Sequence, residues 1–362
     1  MALEFTTRPH PSPASDARRA EVLADPGFGK YFTDHMATAT WTKGEGWHDA
    51  GVVPYGPFQL DPAGAVLHYG QEIFEGLKAY RHADGSVWLF RPDANARRFA
   101  RSAERLGLPV LDVDDFVASL RALVTADEAW VPESGGEQSL YIRPFMFANE
   151  SFLGVRPAQN VTYAAISCPV GPYFSGGVAP VDIWVTTTYS RAGTGGTGAA
   201  KCGGNYASSL VAQAEAYEHG CSQVLFTDAA THTWLEELGG MNIVLVYADG
   251  TLVTPPTSGT ILDGITRSSI LEVTPSLGLT PVERPVTLAE MADGIESGEI
   301  VEAFACGTAA VITPIARFKR AEGDDLVLAN PSGEKTLAIR NLLLDIQYGR
   351  ADDPYGWTVR VV

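Results

Sequence analysis

The glycine-rich stretch GTGGTGAAKCGGNY, residues 193–206, carries Lys201 on the most pliable backbone of the sequence. Arginine supplies most of the positive charge, because only six of the 26 basic residues are lysines. An arginine keeps its proton in proteins, whereas a desolvated lysine can present a neutral amine that attacks a carbonyl and forms a Schiff base. Although a loop lysine is ordinarily solvated, this setting favours covalent chemistry on a carbonyl compound.

The same glycines also fit a dinucleotide-binding pattern. Gly193, Gly195 and Gly198 match G-x-G-x-x-G, and the run VDIWVTTT before them could supply its strand. In that pattern the third glycine opens a helix directly, whereas here several residues intervene before a helix can begin. A P-loop is excluded because it requires Gly-Lys-Ser/Thr in direct succession. A nucleotide-binding protein that uses residues 193–198 remains an alternative from a different class.

The loop ends in Asn205-Tyr206 and suits an aromatic aldehyde, so the cofactor we predict is pyridoxal phosphate. Its pyridine nitrogen needs a carboxylate partner to stay protonated and act as an electron sink. Its phosphate needs a helix N-terminus and an arginine. The substrate carboxylate needs hydrogen-bond donors of its own. The rest of the sequence must supply these three parts.

The run WLEELGGMNIVLVYADGTLVTPPTSGTILDGITR, residues 234–267, supplies two of them. It contains, in order, E-x-G-x-x-N from Glu237, then L-x-T, then L-x-G-I-x-R ending at Arg267. This arrangement resembles the signature of the fold type IV pyridoxal-phosphate enzymes, the branched-chain aminotransferase family. By that resemblance Lys201 is the Schiff-base lysine and Tyr206 hydrogen-bonds to the phenolate oxygen of the cofactor. Glu237 pairs with the pyridinium nitrogen.

Two segments are assigned to the phosphate of the cofactor here, and a third is described below. Gly264 precedes a predicted helix, so the N–H groups of Ile265 and Thr266 would point out of its first turn at the positive end of the dipole. The segment LFRPDANARRFARSAERLGLP resembles the arginine segment of the family, in which Arg98 reaches the phosphate. Its neighbour Arg97 competes for this role, and the facing of the helix favours Arg98.

The segment FACGTAAVITP resembles the Gly-Thr-Ala turn of the family. By that resemblance the Thr308 hydroxyl touches the phosphate, and the N–H groups of Thr308 and Ala309 hold a substrate carboxylate. The segments YIRPF and IFEG resemble its substrate pocket. Tyr141 and Arg143 share one strand face, so the guanidinium can take a carboxylate that the phenol orients. Three aromatic residues are expected to form the apolar wall: Tyr69, Phe74 and Tyr173.

The resemblance covers most of the chain and implies a branched-chain amino-acid aminotransferase. Such an enzyme transfers an amino group reversibly between Leu, Ile or Val and 2-oxoglutarate, and the family implies a homodimer. A D-amino-acid aminotransferase and an aminodeoxychorismate lyase are alternatives within the same fold, because both keep the lysine and the glutamate. The three motifs YIRPF, IFEG and GTAA together favour the branched-chain type.

These residues must be positioned by a chain of 362 residues, which is long enough for two domains. Strand and helix patterns occur in both halves and predict an α/β (α+β) two-domain fold of type IV. We expect a smaller N-terminal α/β domain over 1–170, a linker over 171–180 and a larger cofactor-binding domain over 181–362. Asp84-Gly85 predicts a hairpin turn, and Asp114 or Asp115 is expected to cap a helix.

Composition restricts the partners. The net charge of −17 and the pI of about 4.8 disfavour nucleic acids and anionic membranes. The first thirty residues carry no signal-peptide pattern, and no apolar run is long enough to span a bilayer. Four cysteines without a CxxC pattern predict a reduced cytoplasmic protein with no metal site: Cys168, Cys202, Cys221 and Cys306.

Overall fold

The computed structural model describes residues 2–172 and 177–362 and contains two compact units. The first comprises Met1–Tyr173, Ala200–Gly203 and Ile346–Val362, and the second comprises Phe174–Ala199 and Gly204–Asp345. Both contain a sheet and helices, so the predicted α/β two-domain class is confirmed.

Two segments that the sequence assigned to the second domain belong to the first unit, residues 200–203 and 346–362. The physical reason is backbone pairing, since Lys201 accepts a hydrogen bond from Phe74 and residues 358–360 join the first sheet. The first unit therefore spans more residues than the second, whereas a smaller N-terminal domain was expected. The linker at 171–180 stays a prediction.

The first unit is built on one sheet of nine strands. These are β1 (Thr6–Thr7), β2 (His35–Thr42), β3 (Gly46–Pro54), β4 (Glu72–Phe74), β5 (Leu77–Arg81), β6 (Val87–Phe90), β7 (Ser139–Ala148), β8 (Asn160–Val170) and β18 (Thr358–Arg360). Their order is β1-β3-β2-β8-β7-β5-β6-β18, and β4 pairs with β7. Its helices are α1 (Asp16–Ala24), α2 (Ala65–Tyr69), α3 (Pro92–Arg105), α4 (Val113–Ala126) and a 3-10 turn, Glu128–Trp130.

Local chemistry accounts for these elements. The predicted turn joins β5 to β6, where Gly85 has φ +86°, a conformation that glycine adopts without strain. The predicted cap of α4 is wrong, because the helix begins after Asp112 and both proposed residues lie in its first turn. Asp115 instead accepts a hydrogen bond from the Leu3 N–H at 2.8 Å, and an acid in the first turn is favourable in the helix dipole.

The second unit also has a nine-stranded sheet. Its strands are β9 (Val181–Thr186), β10 (Gln223–Thr227), β11 (Leu235–Leu238), β12 (Asn242–Tyr247), β13 (Thr251–Thr254), β14 (Thr280–Glu283), β15 (Ile300–Gly307), β16 (Val311–Lys319) and β17 (Leu326–Val327). Their order is β11-β10-β9-β16-β15-β12-β13-β14, and β17 pairs with β16. Its helical segments are α5 (Gly203–Ala207), α6 (Leu210–Glu218), α7 (Ile265–Val273), a 3-10 turn (Thr274–Leu277), α8 (Leu288–Ser297) and α9 (Glu334–Gln347).

Burial follows the strand period of two. On β7, Leu140 and Ile142 are fully buried in the core of the first unit, while Tyr141 and Arg143 lie on the other face, as predicted. The cores hold these strands rigid, so the polar face can carry chemistry. Within the described ranges, no helix combines the length and the apolar character needed to cross a bilayer.

Candidate active site

The backbone of Lys201 is anchored within the first unit. Its N–H donates to Ser102 Oγ at 2.9 Å, and its carbonyl accepts from the Phe74 N–H at 2.9 Å. The side chain is half-buried, and Nζ lies 4.9 Å from the centroid of the Phe74 ring. Lys201 Nζ is therefore held against an aromatic face rather than extending into bulk water.

The glycines of the loop allow close backbone approaches. A Cβ on Gly203 would lie 2.5 Å from Glu72 Oε1, whose carboxylate accepts a hydrogen bond from the Gly203 N–H. Burial raises the pKa of Glu72, opposed by that hydrogen bond and by the charge of Arg143. In the second unit a Cβ on Gly198 would lie 2.4 Å from the carbonyl oxygen of Thr260. Backbone packing thus explains Gly198, the third glycine of the nucleotide-binding pattern.

Arg98 is buried on α3 and pairs with a buried acid that the sequence reasoning missed. Its Nε and Nη2 donate to the two oxygens of Glu75 at 2.7 and 2.8 Å. Asn95, one turn earlier, donates to Glu75 Oε2 at 2.7 Å. Arg97 is exposed and pairs with Asp93 at 2.6 Å. Of the two arginines, Arg98 is the one that lies in the interior of the unit, and its contact with the phosphate stays a prediction.

The charge state of Glu75 follows from its neighbours. Burial raises its pKa, but the charges of Arg98 and Lys201 and the hydrogen bonds from Arg98 and Asn95 more than offset this, so the pKa is lowered overall. An ionised Glu75 keeps the Arg98 guanidinium in a fixed orientation. The signal in the sequence was an acid inside the otherwise apolar segment IFEG.

Arg143, Tyr141 and Phe74 form one cluster. Arg143 Nη2 donates to the Tyr141 hydroxyl at 2.8 Å, and its guanidinium carbon lies 4.8 Å from the centroid of the Phe74 ring. Arg143 Nε is buried and has no hydrogen-bond partner among the described residues. Gly76 permits this arrangement, because a Cβ there would lie 2.1 Å from the Tyr141 hydroxyl. The sequence predicted the shared face and not the need for glycine.

Of the other two predicted wall residues, Tyr69 lies outside this cluster. Tyr69 ends α2 with 41% of its surface exposed, and its hydroxyl donates to the carbonyl of Leu153. Tyr173 lies outside the described residues. Their proposed contacts with substrate stay predictions.

In the second unit, Glu237 is buried on β11 within a set of donors. Arg191 Nη1 lies 2.8 Å from Glu237 Oε1, and the Leu262 N–H donates to the same oxygen at 2.8 Å. Asn242 Nδ2 donates to Oε2 at 3.1 Å. The E-x-G-x-x-N spacing therefore brings its acid and its amide into contact. Arg191 was missed, because a single sequence does not indicate which arginine meets a buried acid.

The predicted phosphate seat is a helix start in the same unit. Helix α7 begins at Ile265 after Gly264, which caps it without a side-chain hydrogen bond. A Cβ on Gly264 would lie 2.0 Å from Asn242 Oδ1. Asn242 thus lies against both the acid Glu237 and the first turn that holds Ile265 and Thr266. The Asn242 amide therefore contacts both the acid predicted to pair with the pyridine nitrogen and the helix start predicted to bind the phosphate.

Thr308 and Ala309 lie in the short turn between β15 and β16, as predicted. Val311, which follows the turn, has φ +61°, a strained conformation for a β-branched residue. Tyr206 is half-buried on α5, and its carbonyl accepts from Ser209 Oγ at 2.7 Å. The strands on either side of the turn pair directly from Gly307 to Val311, so the backbone at both ends of the turn is hydrogen-bonded into the sheet.

These residues fit pyridoxal phosphate. In the second unit a buried carboxylate paired with Arg191 suits a protonated pyridine nitrogen, and the first turn of α7 suits a phosphate. In the first unit Lys201 is held at Nζ beside Phe74, and Arg98 is fixed by an acid. The donor types and their supports match what this cofactor requires.

Comparison with known proteins agrees with this chemistry. The family described as amino-transferase class IV matches residues 72–318. A branched-chain-amino-acid aminotransferase of Mycolicibacterium smegmatis is 52% identical over 362 residues, 99% of this chain and 98% of that protein. A probable branched-chain-amino-acid aminotransferase of Streptomyces coelicolor is 54% identical over 350 residues, 97% of this chain and 96% of that protein.

Solved structures are similar in fold. The Escherichia coli branched-chain amino acid aminotransferase matches with a TM-score of 0.74 at 27% identity, covering 90% of this chain and 100% of that chain. The T.th. branched-chain amino acid aminotransferase with pyridoxamine 5'-phosphate matches with a TM-score of 0.70 at 25% identity, covering 90% of this chain and 99% of that chain. The chain belongs to the class IV aminotransferase family and is a pyridoxal-phosphate-dependent transaminase.

Proposed function

We propose that this transaminase is a branched-chain-amino-acid aminotransferase, which moves an amino group reversibly between Leu, Ile or Val and 2-oxoglutarate. Relatives that carry this name share more than half of their residues with nearly the whole chain. The observation that carries the proposal is the Phe74 ring, which faces Lys201 Nζ at 4.9 Å and the Arg143 guanidinium at 4.8 Å. An apolar surface, a reactive amine and a carboxylate partner thus lie in one cluster of the first unit.

Seven residues are proposed to hold the cofactor: Arg98, Lys201, Tyr206, Glu237, Ile265, Thr266 and Thr308. When bound, pyridoxal phosphate supplies an electron sink for the negative charge left at the substrate α-carbon. Lys201 Nζ serves as the base that takes the α-proton of the amino acid and later returns a proton. Glu237, which Arg191 orients, pairs with the protonated pyridine nitrogen.

The substrate residues must accept an isobutyl group and a carboxyethyl group in turn. The N–H groups of Thr308 and Ala309 are proposed to hold the α-carboxylate that both substrates share. Phe74 offers an aromatic face to an aliphatic side chain. Arg143, whose buried Nε has no partner among the described residues, takes the second carboxylate of the dicarboxylic substrate. Tyr141 holds Arg143 in place for this exchange.

A comparison of L-leucine with D-alanine as amino donors to 2-oxoglutarate tests the proposal. We expect turnover with L-leucine and its loss in Lys201→Ala, together with loss of the yellow colour of the holoenzyme. Borohydride reduction followed by peptide mapping should place the adduct on Lys201. Preference for D-alanine would instead favour the D-amino-acid aminotransferase alternative, and an adduct elsewhere would overturn the catalytic assignment.

We also propose a cytoplasmic homodimer. Support for the compartment comes from the four described cysteines, which are buried and free of disulfides. Burial raises the pKa of the Cys306 thiol to about 12, which makes it a poor nucleophile. Light scattering coupled to size-exclusion chromatography tests the dimer, and a monomer mass for the active enzyme would contradict it. Fractionation of cells tests the compartment.

A further inference from the structure

The second unit contains a cavity that the transaminase chemistry does not use. Its volume is about 300 Å³, which is the lower end of the range for small-molecule sites. Glu236, next to Glu237 on β11, lines it. Because successive side chains of a strand point to opposite faces, the cavity lies behind the acid proposed to pair with the cofactor.

An incompletely satisfied carboxylate marks this cavity. Glu236 is only 5% exposed, and its Oε2 is buried without a hydrogen-bond partner in the part of the chain that the structure describes. A buried acceptor left unpaired is costly, and most such atoms in folded proteins are satisfied. A ligand that brings an N–H donor would complete the hydrogen bonding of this group.

The charges that line the cavity favour a cation as its ligand. Of the residues that line the cavity within the described ranges, the ionisable ones are two acids, Asp228 and Glu236. The Asp228 carboxylate accepts hydrogen bonds from the backbone N–H groups of Ala230, Thr231, Thr233 and Trp234. Although burial raises the pKa of Asp228, these bonds lower it well below the usual range, so Asp228 is a fixed negative charge. Anions such as 2-oxo acids are repelled, and a zwitterionic amino acid finds no cationic side chain for its carboxylate among the described lining residues.

The remaining walls are mostly apolar, with three hydroxyl residues among them: Thr194, Ser258 and Thr260. Trp234 and three prolines, Pro255, Pro256 and Pro285, line the cavity. Trp234 is 45% exposed, so its ring is available to a ligand. Trp234 lies directly before β11, and its backbone is held there, since the Leu235 N–H donates to the Val286 carbonyl at 2.9 Å and the Asp228 N–H donates to the Trp234 carbonyl at 2.9 Å. A tryptophan face is the strongest aromatic partner for a cation.

We propose that this cavity binds a small organic ammonium ion with an apolar or aromatic body, whose N–H donates to Glu236 while the body packs on Trp234 and the prolines. The ligand is an amine rather than an amino acid, which separates this site from the substrate site. Arg191 links the cavity electrostatically to the proposed cofactor partner, because its charge acts on Glu236 and its guanidinium contacts Glu237. Occupancy of the cavity is therefore felt at the acid that pairs with the cofactor.

The probe is N,N-dimethylbenzylamine, which is protonated at neutral pH and, being a tertiary amine, cannot condense with an aldehyde. Calorimetric titration of the holoenzyme, with saturating 2-oxoglutarate present, should give saturable binding of one probe per chain. N,N-dimethylbenzamide has a similar shape without the charge, and phenylacetate carries the opposite charge. Neither should bind, because the benzamide lacks the positive charge that pairs with Glu236 and the acidic lining repels phenylacetate.

Three variants test the assignment. Glu236→Gln should weaken probe binding by about tenfold or more, the scale of one charge-assisted hydrogen bond. Trp234→Ala should weaken it less, through the lost cation–π contact. Glu218→Gln removes the same charge from an exposed position of α6 and should leave binding unchanged.

The proposal is overturned if the wild-type holoenzyme shows no saturable binding at millimolar probe, or if Glu236→Gln binds as tightly as the wild type. It is also overturned if a crystal soaked with the probe shows it elsewhere. Should Glu236→Gln fail to fold, as judged by loss of cofactor colour, Trp234→Ala and the soaked crystal decide the question.

Discussion

Glu75 in the first unit and Glu237 in the second are both buried carboxylates paired with a buried arginine, yet the two pairs are built differently. Glu75 meets Nε and Nη2 of Arg98 with its two oxygens, so the pair is bidentate. Glu237 meets Nη1 of Arg191 with one oxygen, and an amide and a backbone N–H also donate to the carboxylate.

This difference separates two uses of the same ion pair. At Arg98 the arginine is the group proposed to touch the cofactor, so the acid serves to orient a positive charge. At Glu237 the acid is the group proposed to touch the cofactor, and the arginine serves to balance a negative charge. The acid in the first pair should therefore matter most for stability, and the acid in the second should matter most for rate.

The largest expected effect is on folding. Glu75→Leu leaves the buried Arg98 guanidinium without its partner, so the free energy of unfolding should fall by about 3–5 kcal/mol. Urea denaturation followed by circular dichroism measures it. The double variant Glu75→Leu with Arg98→Met removes both charges and should recover a large part of this loss. If the double variant is as unstable as the single one, the pair does not act as a unit.

Glu237→Gln should act on rate more than on folding. The amide keeps the shape and the contact with Asn242 but removes the negative charge, so kcat for L-leucine should fall by about 10²–10³-fold. Steady-state kinetics measures the change, and thermal denaturation shows whether the fold is kept. A change in KM alone, with kcat unaltered, would contradict the proposed partnership with the pyridine nitrogen.

Glu75 should make the free energy of unfolding sensitive to acid. Because its folded-state pKa is lowered, its contribution to stability is present above the unfolded value of about 4.3 and is lost as the pH falls through the folded-state pKa. Unfolding free energies of the wild type and Glu75→Gln should therefore converge as the pH falls below about 4. Parallel curves over the whole range would contradict the assigned charge state.

The smallest expected effect is that of Glu236→Gln on stability, and its sign is opposite to that of Glu75→Leu. Burial raises its pKa, opposed by Thr260 and Arg191, so its ionised form is penalised in the fold once the pH exceeds the unfolded value. Glu236→Gln should thus leave stability at pH 8 unchanged or raise it by up to about 1 kcal/mol. Thermal denaturation at pH 8 and pH 5 checks the sign, and a clear loss at pH 8 would show that the carboxylate is satisfied.

Local patterns in the sequence were sufficient for part of the site. The helix after Gly264 and the shared face of Tyr141 and Arg143 both depend on residues close in sequence, where strand and helix periods determine the geometry. The fold class followed from the same periods. Each of these predictions is local in origin.

The features that sequence reasoning missed are contacts between residues far apart in the sequence. Arg191 meets Glu237, and Glu75 meets Arg98, across turns and strands whose pairing one sequence does not specify. The grouping of residues 346–362 with the first unit depends on β18 reaching β6, which local periodicity cannot foresee. Residues that orient other residues are therefore the hardest to predict from one sequence.

The pairing of β18 with β6 also has a consequence during translation. Residues 358–360 leave the ribosome after every residue of the second unit, so the edge of the first sheet at β6 stays uncovered until then. An uncovered strand edge is a template for pairing with other chains. The first unit is thus begun earlier and completed later than the second, and its β6 edge can pair with other chains during that interval.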